Sequence, residues 1–126
     1  MVAVYPGSPD RGQGYSRHRD NSGQNGREVT AIVYANADWD PSVDGGALVC
    51  DEASLLRRTP RKPETRTVEP LGGRLVLFLS ELEHEVRPAY ARRAAVTLWL
   101  LKPPANEPPT GDPGAPRPRV GPGRGP

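Results

Sequence analysis

Residues 93–101, RAAVTLWLL, decide the fold class. In an extended backbone successive side chains point to opposite faces. Arg93, Ala95, Thr97 and Trp99 then share one face, and Ala94, Val96, Leu98 and Leu100 the other. The apolar run from Ala94 to Leu101 is the longest in the chain and falls far short of the roughly 20 residues a membrane helix needs. A short strand accounts for it. Arg93 is the exception in this segment. Either it sits in solvent at the strand's start, beside an outward Arg92, or it faces inward and needs an anionic partner to offset its burial.

The segments upstream have the same character. Arg74–Leu79 (RLVLFL) follows Gly72-Gly73 and is apolar on both faces, the pattern of a strand buried on both sides. Glu28–Ala35 (EVTAIVYA) alternates, with Thr30, Ile32 and Tyr34 on one face and Val29, Ala31 and Val33 on the other. Val2–Tyr5 is a short strand stopped by Pro6-Gly7. Tyr15–Asp20, Ala47–Cys50, the weaker Thr65–Val68 and His84–Pro88 bring the count to about eight short strands with turn signals between them. Residues 51–64 read as a charged loop in which Leu55 and Leu56 can form one helical turn. This pattern predicts an all-β sandwich or barrel.

From Lys102 onward the composition changes. KPPANEPPTGDPGAPRPRVGPGRGP is rich in proline and glycine and offers only Val120 and two alanines for burial. Such a stretch cannot offset the entropy of ordering itself, so residues 1–101 are the expected domain and 102–126 an expected disordered tail. The prolines there also suit a polyproline II ligand. The net charge is +2, carried by scattered arginines without a basic stripe, so no nucleic-acid partner is expected. Cys50 is the single cysteine, which rules out an intrachain disulfide and a cysteine-rich zinc site. MVAVYPG has neither the basic nor the long apolar region of a signal peptide. A soluble protein of the cytoplasm or nucleus, with no membrane partner, is the expectation.

There are two histidines, His18 and His84. In His18-Arg19-Asp20 an extended backbone turns imidazole and carboxylate to the same side. A histidine from a distant strand would complete a two-histidine, one-carboxylate set, the ligand arrangement of non-haem Fe(II) oxygenases that leaves open positions on the metal. An isolated HxD is weak evidence, since surface turns supply it by chance. Arg93, nine residues after His84, adds weight: an inward guanidinium pairs well with the far carboxylate of a dicarboxylic acid, and Tyr34 on its apolar strand can add a phenolic hydrogen bond.

Five blocks in order, MVAVYPG, GYSRHRDN, GREVTAIVYANADWD, GGAL and HEVRPAYARRAAVTLW, resemble the catalytic core of the hypoxia-inducible-factor prolyl hydroxylases, and more broadly the prolyl 4-hydroxylase branch of the Fe(II)/2-oxoglutarate dioxygenases. The resemblance implies a double-stranded β-helix, a jelly-roll or cupin-like barrel, over residues 1–101. It implies Fe(II) held by His18, Asp20 and His84, 2-oxoglutarate bound by Arg93 and Tyr34, and Leu48, Thr97 and Tyr5 lining its pocket. It sets Tyr15, Arg27 and Trp99 near a substrate proline, although Leu48 and Trp99 also suit a plain core and Arg27 a solvated loop. The implied activity is oxygen-sensing 4-hydroxylation of peptidyl proline with O2, coupled to conversion of 2-oxoglutarate to succinate and CO2, with L-ascorbate (vitamin C) keeping the iron reduced.

The chain departs from that family in places. It begins almost at the first barrel strand, so no counterpart of the helices that cover one sheet in the family is expected within these residues. Either a partner chain covers that apolar face or the chain is a fragment. Residues 51–70 and the approach to His84, SELEHEV, also diverge, which leaves the peptide substrate open. Two other readings stand beside the enzyme: an inactive barrel acting as a binding module, and a related oxygenase with a non-proline substrate.

Overall fold

Alternating sequence becomes strand close to where it is expected. The computed structural model describes residues 1–21, 23–54 and 64–103. Its strands are β1 (Val2–Tyr5), β2 (Gln13–His18), β3 (Arg27–Tyr34), β4 (Leu48–Asp51), β5 (Thr65–Val68), β6 (Leu75–Leu79), β7 (Glu83–Ala89) and β8 (Arg93–Leu101). A one-turn helix, α1 (Pro41–Asp44), and a 3-10 turn at Glu52–Ser54 are not expected from the sequence pattern. The start of α1 is explicable: Asp40 caps it by accepting from the Ser42 amide at 2.9 Å, and Pro41 takes the first helical position, where a missing N–H costs nothing. The helical turn expected at Leu55 and Leu56 and the tail beyond Pro103 lie outside the described residues. Lys102, placed in the tail by sequence, donates its amide to Gly26 O at 2.7 Å.

Two four-stranded antiparallel sheets result, in the orders β1-β8-β3-β6 and β2-β7-β4-β5. The chain passes from one sheet to the other at nearly every connection, which is the double-stranded β-helix, or jelly-roll, topology. Between the sheets lies a core of Ile32, Tyr34, Leu48, Cys50, Leu82 and Ala95, with Val68, Val76, Phe78 and Val86 packed against it.

The outer faces differ sharply. On the β2-β7-β4-β5 sheet, side chains form a mesh of ion pairs: Arg17 with Asp51 at 3.0 Å, Arg19 with Glu83 at 3.1 Å, and Arg66 with Glu52. On the other sheet the outward rows are apolar from edge to edge. Val2, Val96, Val33 and Leu75 lie in one row; Leu98, Ala31 and Leu77 in the next; Leu100, Val29 and Leu79 in a third. Leu77 and Leu98 are 61% and 57% exposed. The sequence expectation of a β6 buried on both sides is therefore corrected: Val76 and Phe78 face the core, while Leu75, Leu77 and Leu79 are open among the described residues. Apolarity on two faces says that a face is made to be covered, not by what.

An uncovered sheet of leucine and valine exceeds the patches that monomeric proteins usually tolerate. The 126-residue chain is therefore expected to bind a hydrophobic dye such as ANS and to elute above its monomer size. Leu77→Glu combined with Leu98→Glu should reduce both signals without loss of strand content by far-UV circular dichroism. A wild-type chain that elutes as a dye-silent monomer would contradict this.

Candidate metal and dicarboxylate site

The metal-ligand candidates meet because β2 and β7 pair antiparallel. His18 and His84 are cross-strand partners, with ring centroids 4.2 Å apart. β2 ends at His18, so Asp20 lies just past the strand, not within it as the sequence suggests. Its carboxylate still turns back, with Oδ1 3.4 Å from His18 Nε2 and Oδ2 3.9 Å from His84 Nε2. One ligand atom from each residue lies within 4.8 Å of the others.

The histidine tautomers follow from their partners. His18 Nδ1 is 2.9 Å from Ser16 O, and His84 Nδ1 is 2.9 Å from Leu82 O. A carbonyl oxygen only accepts, so each Nδ1 carries the proton and each Nε2 keeps its lone pair for an ion. Burial holds the His84 imidazole below its ordinary pKa, reinforced by the neighbouring His18 against the opposing pull of Leu82 O and Asp20. It is therefore neutral at pH 7 and ready to ligate.

Two of the three register slips in these strand pairs aim the surrounding side chains. Between Tyr15 and His18 the register of β2 slips, so residues three apart both face inward, and their rings meet edge to face at 4.5 Å. A second slip between Arg27 and Val29 turns Arg27 away from the outward side that Val29 takes and lays its guanidinium 3.7 Å over the Trp99 ring. Strict alternation would have put both pairs on the wrong faces.

Arg93 is inward and 2% exposed, which decides between the two sequence readings. Its cross-strand partner is Tyr5. The guanidinium sits 5.4 Å from the Tyr5 ring centroid and 5.1 Å from that of Tyr34, and its Nε donates to Gly46 O at 2.9 Å. No carboxylate pairs with it among the described residues. The Tyr34 hydroxyl is buried beside Arg93, which can donate to it, and its own proton meets no acceptor among the described residues. Burial raises the pKa of Tyr34 and of Tyr5, with Arg93 opposing it in each, so both phenols keep their protons at neutral pH. Gly46 suits this place. Its φ is +70°, and a Cβ would stand 3.0 Å from Arg93 Cδ and 3.0 Å from Ala89 Cβ, so any other residue would be strained there.

A cavity of about 570 Å³ between the sheets gathers these residues. Tyr5, Tyr15, His18, Asp20, Arg27, Leu48, His84, Arg93, Thr97 and Trp99 all line it. Tyr34 is the one predicted residue not on its wall; its ring lies beside the Arg93 guanidinium. Leu48, fully buried, serves the core as well as the cavity. The sequence pattern does not single out Gly46 beside Arg93, Asn25 on the cavity wall, Thr30, which donates to Asp20 at 2.8 Å, or Ser80, 2.9 Å from Thr30. Thr30 carried a signal, being a polar residue on the inward face of β3.

The cluster fits an octahedral ion bound on one side by two imidazoles and a carboxylate. A buried guanidinium without a carboxylate partner, beside a buried phenol whose proton meets no acceptor among the described residues, fits the far carboxylate of 2-oxoglutarate, which would supply the missing anion and acceptor.

The model of the 2OG-Fe(II) oxygenase superfamily matches residues 1–101. The chain belongs to this superfamily. Among its relatives, Egl nine homolog 1 of Rattus norvegicus is 46% identical over 104 residues, which are 80% of this chain and 28% of that protein. A Trichoplax adhaerens prolyl hydroxylase, solved in complex with a hypoxia inducible factor oxygen degradation domain peptide fragment, is 42% identical with a TM-score of 0.66, over 80% of this chain and 42% of that one. A Pseudomonas putida prolyl-4-hydroxylase is 37% identical with a TM-score of 0.63, over 80% of this chain and 50% of that one. The chain thus spans half or less of the relatives it matches. As a 2OG-Fe(II) oxygenase-superfamily member it has Fe(II) and 2-oxoglutarate as its implied metal and cosubstrate.

Cys50 is the cross-strand partner of His84 but adds nothing to the ligand set. Burial, with help from Glu52, pushes its thiol up to about 11, so it stays protonated at neutral pH and is a poor nucleophile and ligand. Iodoacetamide at mildly alkaline pH should leave Cys50 unmodified in the folded chain and label it once urea unfolds the protein. Rapid labelling of the folded chain would contradict this.

Proposed function

We propose that the chain is a peptidyl-proline 4-hydroxylase dependent on Fe(II) and 2-oxoglutarate. What carries the reading is the buried, unpaired Arg93 guanidinium facing the same cavity as the His18–Asp20–His84 cluster. In this reading His18, Asp20 and His84 hold the iron, and Arg93 with Tyr34 holds the far carboxylate of 2-oxoglutarate. Leu48, Thr97 and Tyr5 wall the cosubstrate in and keep water from it. When bound, the iron would activate O2, which is the oxidant, while 2-oxoglutarate would give two of the four electrons and leave as succinate and CO2, and the substrate carbon the other two. L-Ascorbate belongs to the proposal as the reductant that returns idle iron to Fe(II).

The protein's further task is to present one carbon of the substrate. Trp99 offers a flat apolar ring for a pyrrolidine, held in place by Arg27. Its Nε1–H is buried without a partner among the described residues, a donor suited to a backbone carbonyl of a peptide. Tyr15, 53% exposed, stands where the peptide would enter. A second polypeptide segment lying on the apolar sheet completes the proposal.

Incubation of the chain with Fe(II), 2-oxoglutarate, O2 and a panel of proline-containing peptides tests it. The expected product is a peptide one oxygen heavier at proline, formed in step with succinate. Succinate without peptide oxidation would point to another substrate class. Ligand binding without turnover would point to a binding module.

A further inference from the structure

Asp20 is held by groups to which none of the roles above assigns a purpose. Thr30 Oγ1 lies 2.8 Å from Asp20 Oδ2, and Ser80 Oγ lies 2.9 Å from Thr30 Oγ1. Thr30 and Ser80 are both 0% exposed. The directions of these bonds are fixed by chemistry. A carboxylate only accepts, and a hydroxyl has a single proton to give. Thr30 therefore donates to Asp20, and Ser80 must donate to Thr30.

The relay is anchored at its far end. The Ser80 amide donates to Glu28 O at 2.9 Å, and Ser80 O accepts from the Asn21 amide at 2.8 Å. The backbone of Asp20 is fixed as well, since its carbonyl accepts from Asn25 Nδ2 at 2.7 Å. β3, the turn after β6 and the loop after β2 thus converge on one carboxylate in one orientation.

We propose that Thr30 and Ser80 are positioning residues that commit Asp20 to binding the metal through one oxygen. This rests on the metal-site reading given above. With Oδ2 engaged by Thr30, Oδ1 is the oxygen left for the ion, on the His18 side of the cluster. A carboxylate that chelated through both oxygens would occupy a position that cosubstrate or O2 has to take on an octahedral ion. By holding one lone pair of Oδ2 and fixing the rotation of the carboxylate, the relay disfavours this without adding a charge to the site. Two hydroxyls suit the task because they donate while remaining neutral, so the net charge at the metal is left to Asp20 alone.

The test uses the full chain and two readouts that do not depend on turnover: Mn(II) affinity by titration calorimetry, and the visible spectrum of the Co(II)-loaded protein. Thr30→Val keeps the shape and removes the donor. Its Mn(II) affinity is expected to fall by about 10- to 100-fold, as for other partners of metal ligands, with altered Co(II) bands that report a changed coordination number. Thr30→Ser restores the hydroxyl and should restore both readouts. Because Thr30→Val strands the Ser80 hydroxyl, the double variant Thr30→Val/Ser80→Ala, which removes both polar groups, serves as the folding control. It should melt close to wild type while keeping the weak affinity and the altered bands.

Wild-type affinity and spectrum in a folded double variant would overturn the relay and leave the metal site standing. A Thr30→Ser chain as weak as Thr30→Val would also overturn it, since packing and not the hydroxyl would then matter. A wild-type chain that binds neither Mn(II) nor Co(II) would overturn the metal-site reading and the relay with it.

Discussion

Alanine at His84 is expected to lower the chain's affinity for a divalent ion by more than about 100-fold and to end 2-oxoglutarate turnover. Loss of a hydrogen-bond partner to a metal ligand already costs roughly 10- to 100-fold in affinity, and loss of a ligand itself costs more. His84 is the ligand least able to be replaced. Its side chain is 4% exposed, against 30% for His18. It is wedged against Phe78, with ring centroids 4.8 Å apart, and its Nδ1–H is tied to Leu82 O. Water can reach the space left by His18 more readily than the space left by His84. Truncation also opens a cavity in the core, with a penalty of about 2–5 kcal/mol if the site does not collapse. His84→Gln, which fills most of that space, separates the two effects. It should restore stability and not affinity. Mn(II) titration beside a thermal melt checks this, and undiminished affinity in His84→Ala would remove His84 from the ligand set.

Arg93→Met has the second large effect, and it is two-sided. Binding of 2-oxoglutarate to the metal-loaded chain should weaken by at least about 30-fold, since truncating one partner of a buried charge pair costs about 2–5 kcal/mol. Stability without ligands should rise instead of falling. Arg93 is buried with no anion opposite it among the described residues, and burial drags its pKa below the usual guanidinium value, against the pull of the two tyrosines. Replacing buried charge by an apolar side chain of similar length is often stabilising, by about 1–4 kcal/mol. The gain is reduced by the donor that Gly46 O loses. Calorimetry with 2-oxoglutarate and a melt of the ligand-free chain read the two effects separately. A lower melting temperature with intact 2-oxoglutarate affinity would mean that Arg93 serves the fold and not a ligand.

Much of this site is legible in the amino-acid sequence. β1 and β8 begin and end where alternation and the Pro6-Gly7 stop place them, because both are short, regular and bounded by clear signals. The two-residue spacing of His18 and Asp20 points to one ion even though β2 ends between them, since a single bend after the strand keeps the carboxylate on the same side. The bulges in β2 and β3 are invisible at that level, because an extra residue in a strand shows only against its partner. Their consequences, Tyr15 beside His18 and Arg27 over Trp99, are not read from the sequence: the family resemblance sets the three residues only near a substrate proline. β6 misleads for a different reason: LVLFL has two apolar faces, and nothing local says whether the second is covered. The Ser80–Thr30–Asp20 relay joins residues up to 60 positions apart, and no periodicity links them.

The most direct test is succinate formation from 2-oxoglutarate by the 126-residue chain, loaded with Fe(II) under anaerobic conditions and then exposed to O2, beside His84→Ala and Arg93→Met. Succinate from the wild type, none from His84→Ala, and formation from Arg93→Met only at much higher 2-oxoglutarate concentration is the predicted outcome. No succinate from soluble, iron-loaded wild type, or equal amounts from all three chains, would contradict it.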